Sequence, residues 1–355
     1  MNAVKGDLNI IKNGNFNTVE GLQNIINNGN YNGISGNSNF VQGSVNLVKG
    51  NLNTLAGDYN LVGGNANNVA GSSNGVAGDC NDLVGDSNNV VGHQNNLNGN
   101  LNTIFGSVNN VQGDKNGVSG SYNTAVGNTN NIVGGENKVF GSTNSVNGNI
   151  NGVVGNLNFV KGNLNNVLGD KNAAIGANNN IVGSENKALG FGNSQFGNQN
   201  TAIGYSNTAV GERNTQIGVA NYAYGNGNTQ QGALNSAVGN LNLIDGNRNK
   251  VIGDSNLLQG NCNQVQGVSN VLVGNINTVI GKDNFVKGNS NAVNGASNGV
   301  VGSGNLVVGT SNTVISNIKG GSVLPPPPIV PVKPVAKCSI AQYRPTRVPQ
   351  PKCAC

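Results

Sequence analysis

Gly50-Asn51-Leu52-Asn53-Thr54-Leu55-Ala56 and Gly274-Asn275-Ile276-Asn277-Thr278-Val279-Ile280 are two copies of one seven-residue sentence, G-x-x-N-x-Φ-x. The Asn of that sentence recurs without a miss from Asn32 to Asn312, 41 consecutive units, and the Gly three places before it from Gly29 to Gly309. Of the 41 Φ positions, 38 are Val, Ile, Leu or Ala, and the exceptions are Gln195, Gln216 and Gln230. So strict a repeat describes a one-dimensional stack, in which each unit buries its inner face against its neighbours.

The composition removes the usual seven-residue architecture. A heptad coiled coil needs apolar a and d positions on good helix formers, whereas every unit here carries Gly and Asn, both poor in helices. Collagen needs Gly at every third place. Disorder is the competing reading, since only 9% of residues are charged and Gly and Asn abound. Disordered low-complexity chains do not, however, hold an aliphatic residue at one fixed phase.

Charge divides the chain at its C-terminal end. Residues 319–355 hold six Lys or Arg and no acid, while residues 1–318 carry 13 basic and 14 acidic groups. The expected organisation is therefore a repeat rod over 1–318 and a Pro-rich, basic, Cys-containing tail over 319–355. The rod has no basic face for a phosphate backbone, so nucleic-acid binding is not expected. No apolar run approaches the roughly 18 residues of a membrane span. Met1-Asn2-Ala3-Val4-Lys5-Gly6 enters the repeat directly, without an apolar signal segment. A cytosolic protein, a mature form and another export route all stay open, with a cell-surface or extracellular assembly favoured.

Seven residues make a strand of four or five residues and a tight corner. Side chains alternate along a strand, so Asn and Φ share the inner face and the residues on either side of Φ point outward. Gly supplies the corner, where positive φ is needed, and Asn, Ser or Asp follows it at most corners, as turn chemistry prefers. Two units close a two-sided coil of 14 residues; three close a triangular coil of 21. Units of eight residues at Gly6–Gly14 and Gly21–Gly29 are separated by an ordinary one. Only a two-sided coil stacks both insertions at the same corner. The expectation is thus an all-β parallel β-solenoid, or β-roll, with about 14 residues per coil. It should have about 22 coils, a length of roughly 105 Å at about 4.8 Å per strand, and one inward Asn ladder per side.

The stretch Asn200-Thr201-Ala202-Ile203-Gly204-Tyr205-Ser206-Asn207-Thr208-Ala209-Val210-Gly211 resembles the head repeats of trimeric autotransporter adhesins. The resemblance implies a left-handed parallel β-roll of 14-residue coils with three chains side by side. It is closest over about 174–239. The chain departs from that family in having Asn at its Ser place, no coiled-coil stalk and no terminal membrane barrel.

Functional candidates sit outside the core. The outward place after Φ is apolar without a break in Leu168, Ile175, Val182, Leu189, Phe196, Ile203, Val210, Ile217 and Tyr224, while Φ shrinks to Ala or becomes Gln. Phe191, Phe196, Ile203, Tyr205, Val210, Ile217, Tyr222 and Tyr224 are expected to form a self-association surface, since exposed apolar strips of this length call for a cover. The partner expected is a further copy of the chain, as a trimer or an end-to-end filament, with an external surface or glycan as a further candidate. Cys338, Cys353 and Cys355 in the tail are candidate disulfide cross-links. Cys80 and Cys262 lie 13 coils apart, roughly 60 Å, and cannot pair within one chain. Neither catalytic nor cofactor residues are expected. The single His93 and corner acids such as Asp58, Asp79 and Asp86 read as turn residues. The function expected is a structural, self-assembling fibre or surface-layer protein with a tethering tail, and not an enzyme. The alternative is an adhesin or carbohydrate-binding head. Ice binding ranks third, because it calls for a regular outward Thr array, and the one begun by Thr201, Thr208 and Thr215 is broken by Tyr222.

Overall fold

A computed structural model describes residues 1–316. Within them the chain forms 45 short strands and no helix. Each strand pairs in parallel with the strands two before and two after it: Leu55 lies between Val41 and Val69, one coil away on either side. Odd and even strands therefore build two opposite sheets, A with 23 strands and B with 22. Both are open ribbons. Sheet A runs from Ala3–Lys5 to Thr313–Ile315, and sheet B from Ile10–Lys12 to Leu306–Thr310, with each terminal strand paired on one side only. The molecule is the two-sided roll of 14 residues per coil, about 105 Å long at about 4.8 Å per strand.

Between the sheets, Φ and Asn fill the core as their phase requires. The Φ column from Val19 to Ala188 is buried throughout, as is the column from Ala237 to Val307. Burying a Val, Leu or Ile side chain contributes about 1.5–3 kcal/mol, and the column repeats that term in nearly every unit. Between the two columns lie the buried Gln195, Gln216 and Gln230 with Ala202, Ala209 and Ala223.

The Asn ladders run beside this column. Asn158 is representative: its backbone N–H and its Nδ2 both donate to Asn144 Oδ1, at 3.0 Å each. The same Nδ2 donates to Gly169 O at 2.8 Å, and Asn158 Oδ1 accepts the Asn172 N–H at 2.9 Å. A buried amide is tolerated because its donors and acceptor are all used. Such side-chain ladders also hold stacked strands flat against the ordinary twist of a sheet.

The corners carry a second ladder, on the outside. Asn51 N–H donates to Asn65 Oδ1, Asn65 N–H to Asp79 Oδ1, Asp79 N–H to His93 Nδ1 and His93 N–H to Ser107 Oγ. His93 and the corner acids thus cap the N–H groups of the preceding coil, which gives them a structural role. Corners with seven-residue spacing take two positive φ values, one at Gly and one two residues on, as at Gly50 (130°) and Leu52 (59°), while at Gly14 and Gly29 the preceding Asn13 and Asn28 take the first. Sequence reasoning assigned that geometry to Gly alone. Where the residue after Gly is Ala177, Phe191, Tyr205, Val219 or Ala233 in sheet A, or Val268, Lys282, Ala296 or Thr310 in sheet B, strands lengthen from three residues to five. None of these nine is Asn, Asp or Ser. Along these runs the backbone continues its own ladder. Leu22, Gly135 and Glu212 also lack such an acceptor but donate to Asn37, Asn149 and Asn226 one coil on, and their strands stay at three residues.

The two eight-residue units stack as expected. Their extra residues, Asn13 and Asn28, take positive φ and are joined by Asn13 Nδ2 donating to Asn28 Oδ1 at 3.1 Å.

Candidate functional site: the outward faces of the roll

Each strand turns two side chains outward, flanking Φ, so each face is a pair of columns rising about 4.8 Å per coil. Fourteen-residue stacking assigns alternate units to opposite faces, and this redistributes the residues singled out above. Phe191, Ile203, Tyr205 and Ile217 lie on sheet A, with the Phe191 and Tyr205 rings stacked at 5.2 Å. Phe196, Val210, Tyr222 and Tyr224 lie on sheet B, across the core from the first four. The eight residues form two patches facing opposite ways. Cys338, Cys353 and Cys355 lie outside the described residues; Cys80 is a free, exposed thiol.

The threonine array changes in the same way. Thr208 stacks beneath Tyr222 on sheet B, whereas Thr201, Thr215 and Thr229 stack on successive coils of sheet A. Tyr222 therefore does not interrupt that array, because it belongs to the other face.

Sheet A has a long interval without charge. From Leu61–Gly63 to Ser145–Asn147 the outward places are filled by Gly, Ala, Ser, Thr, Asn, Val, Leu61 and Phe105 across seven strands. The relief is low, with Gly63, Gly75 and Gly117 presenting bare backbone. Lys161 and Lys187 interrupt before the Thr201–Thr229 array begins.

Sheet B carries a different pattern. The outward column after Φ holds ten apolar or aromatic residues on successive coils: Val126, Phe140, Val154, Leu168, Val182, Phe196, Val210, Tyr224, Val238 and Ile252. Beside it from Gly152 to Ser236 runs an uncharged column of Gly, Asn, Ser, Thr and Tyr. A reading by sevens interleaves both faces, so a ten-coil run on one of them is invisible until the coil length is applied.

Among the described residues, no group of three or more His, Cys, Asp or Glu could hold a metal ion. Among them there is no helix long and apolar enough to cross a membrane. The shifted carboxyls are corner or edge groups. Asp79 is held below the usual carboxylate range by the Asn65 backbone N–H, then the Asn65 side chain, with His93 adding to it. Glu20 is lowered by its hydrogen bond to Lys5.

Comparison with known families gives one match. The family model of the grass antifreeze beta roll matches residues 1–85 and 231–320, just under half of the chain. No curated protein matches it. The likeness to trimeric autotransporter heads is overturned, since the matching family is the antifreeze roll and the threefold arrangement rested on that likeness alone. The physical reason is convergence: a Gly corner, one inward polar residue and one inward aliphatic close the same two-sided coil whatever the lineage. The stretch 200–211 that carried the likeness lies outside both matched segments.

Proposed function

We propose that this rod binds ice, presenting the low, uncharged face of sheet A to the crystal. The observation that carries the reading is the match of the grass antifreeze beta roll to both ends of the rod. The chemistry of the face supports it. A crystal surface is a repeating array, so its ligand must repeat in register over many contacts, each of them weak. The roll offers a strand repeat of about 4.8 Å along its axis and an i to i+2 spacing of about 6.8 Å across it. Charged side chains hold tight hydration shells of their own, and sheet A lacks them over seven coils between Leu61 and Asn147. Small side chains and the hydroxyls of Thr201, Thr215 and Thr229 leave room for lattice water. Binding of this kind needs no catalytic group.

The test is partition into slowly growing ice together with inhibition of recrystallisation. Enrichment in ice is expected for the native rod, and loss for Ala77→Lys combined with Ser119→Lys, with the β signal in circular dichroism unchanged. A folded native rod left wholly in the liquid would overturn the reading. A structural fibre is the second reading, favoured by the unpaired outer edges of strands Ala3–Lys5 and Ile10–Lys12, which offer a template for another copy.

A further inference from the structure

The ten-residue column of sheet B is not uniform. It alternates strictly between Val (126, 154, 182, 210, 238) and a bulkier side chain (Phe140, Leu168, Phe196, Tyr224, Ile252). With coils about 4.8 Å apart, the bulky residues form knobs about 9.6 Å apart with a hollow over each Val between them. Four of the five valines follow that relief: Val126, Val182, Val210 and Val238 are half-buried, whereas Val154 is exposed like Phe140, Leu168, Phe196, Tyr224 and Ile252. A corrugated face of this kind suits an interdigitating partner and not a planar crystal.

We infer that this face pairs with a second copy of itself, antiparallel, about a two-fold axis between Val182 and Phe196. An isologous interface brings each residue of a patch against its mirror position in the same patch. For an alternating run of ten, that operation places Val126 against the partner's Ile252 and Phe140 against the partner's Val238. It likewise sets Leu168 against the partner's Val210, and Val182 against the partner's Phe196. Every knob meets a hollow. A parallel, in-register pair would set Phe against Phe and Val against Val, which wastes the relief.

Charge and area agree with this arrangement. The two-fold axis sets Lys138 opposite the partner's Ser236 and Lys250 opposite the partner's Thr124, so no like charges meet. The column is about 43 Å long. With its polar neighbour column it covers roughly 500 Å² per copy, or about 1,000 Å² in all, the lower bound for a stable interface. The Asn ladders keep the face straight enough to be matched over its full length. The pair leaves both copies of sheet A facing outward, on opposite sides of the assembly.

The experiment is the solution mass of the native chain by light scattering across a concentration series, with two variants. A two-chain mass is expected for the native protein and for the sheet A control Val133→Lys. A one-chain mass with unchanged β structure is expected for Val182→Lys combined with Val210→Lys. Orientation is read from Val126→Cys combined with Ile252→Cys: the two positions lie about 43 Å apart in one chain, so a disulfide between them forms only across an antiparallel pair. Peptide mapping should find a bridge from position 126 of one copy to position 252 of the other. A native chain that stays monomeric at every concentration would sink the inference, as would a lysine variant that keeps the two-chain mass. Bridges joining like positions would refute the antiparallel register. None of these outcomes depends on whether the rod binds ice.

Discussion

At Asn158 a single amide joins three coils, and its replacement separates two physical effects. Asn158→Ala leaves the Asn172 N–H without the acceptor it meets at 2.9 Å and Gly169 O without its donor. Each orphaned buried group costs about 1–3 kcal/mol. Asn158→Asp keeps the acceptor but turns a carboxylate toward Asn144 Oδ1 and Gly169 O, two acceptors, in a site 2% exposed. At neutral pH this variant should melt below the alanine one. The introduced carboxyl has a raised pKa in the folded state, so its stability is highest in acid and falls as pH rises through that value; thermal melts of both variants across pH read this directly. Gln195 is the opposite case. Its Nε2 donates to Lys187 O at 2.8 Å, while its Oε1 is buried with no partner. Gln195→Leu removes the orphan acceptor, which costs about 1–3 kcal/mol, together with the bond to Lys187 O, worth about 0.5–1.5 kcal/mol net, so it should raise stability by about 1 kcal/mol, measured by denaturant midpoint. A drop in the midpoint would mean that the amide oxygen is satisfied by a group such as buried water.

The first coil is the element most dependent on charge. Strand Ala3–Lys5 has a neighbour on one side only, and Lys5 Nζ reaches Glu20 Oε1 at 2.9 Å in the next coil. That bond raises the Lys5 pKa and lowers that of Glu20. The lowered carboxyl contributes stability above the usual Glu range and loses it as pH falls through its folded value. The raised ammonium contributes below the usual Lys range and loses it as pH rises through its own. The first coil should therefore be best ordered between those two ranges. Both groups are fully exposed, so the effect is small and salt-sensitive. The protection factor of the Gly21 amide, which donates to Lys5 O, that is, its exchange rate relative to the unfolded chain at the same pH, should fall in acid for the native chain but not for Glu20→Gln. At this scale the sequence was generous about what faces inward. Strict phase at Asn and Φ announced the inward Asn ladder of each side and the core, and the spacing of Gly6, Gly14, Gly21 and Gly29 announced the coil length, whereas the outer corner ladder was not anticipated. Strand length was hidden, because it depends on whether residues such as Phe191 and Tyr205 meet a side-chain acceptor one coil further on.

For the whole rod, a seven-residue period has a blind spot. It gives both faces the same phase, so Thr208 and Tyr222 seem to continue the array of Thr201 and Thr215 although they face the other way. Reading by fourteen restores Thr201, Thr215 and Thr229 as one column and separates the apolar runs of the two sheets. Lineage was legible least of all, since Gly-cornered units of this length converge on one backbone. The rod is also a sum of nearly equal nearest-neighbour terms, with its last described strand at Thr313–Ile315.

The Asn ladder also settles what an enzyme that links sugar to asparagine could do to this chain. An N-linked acceptor needs Ser or Thr two residues after Asn. In every unit that place belongs to Φ, which the core requires to be aliphatic or, three times, Gln. For corner asparagines such as Asn51 or Asn163 the same place is the next ladder Asn, and the outward asparagines also lack Ser or Thr there. A chain rich in asparagine thus contains no N-linked acceptor at all. Produced in a glycosylating host, the rod should lose no mass on treatment with an enzyme that removes N-linked sugar, and its outward asparagines should stay unmodified along their whole length.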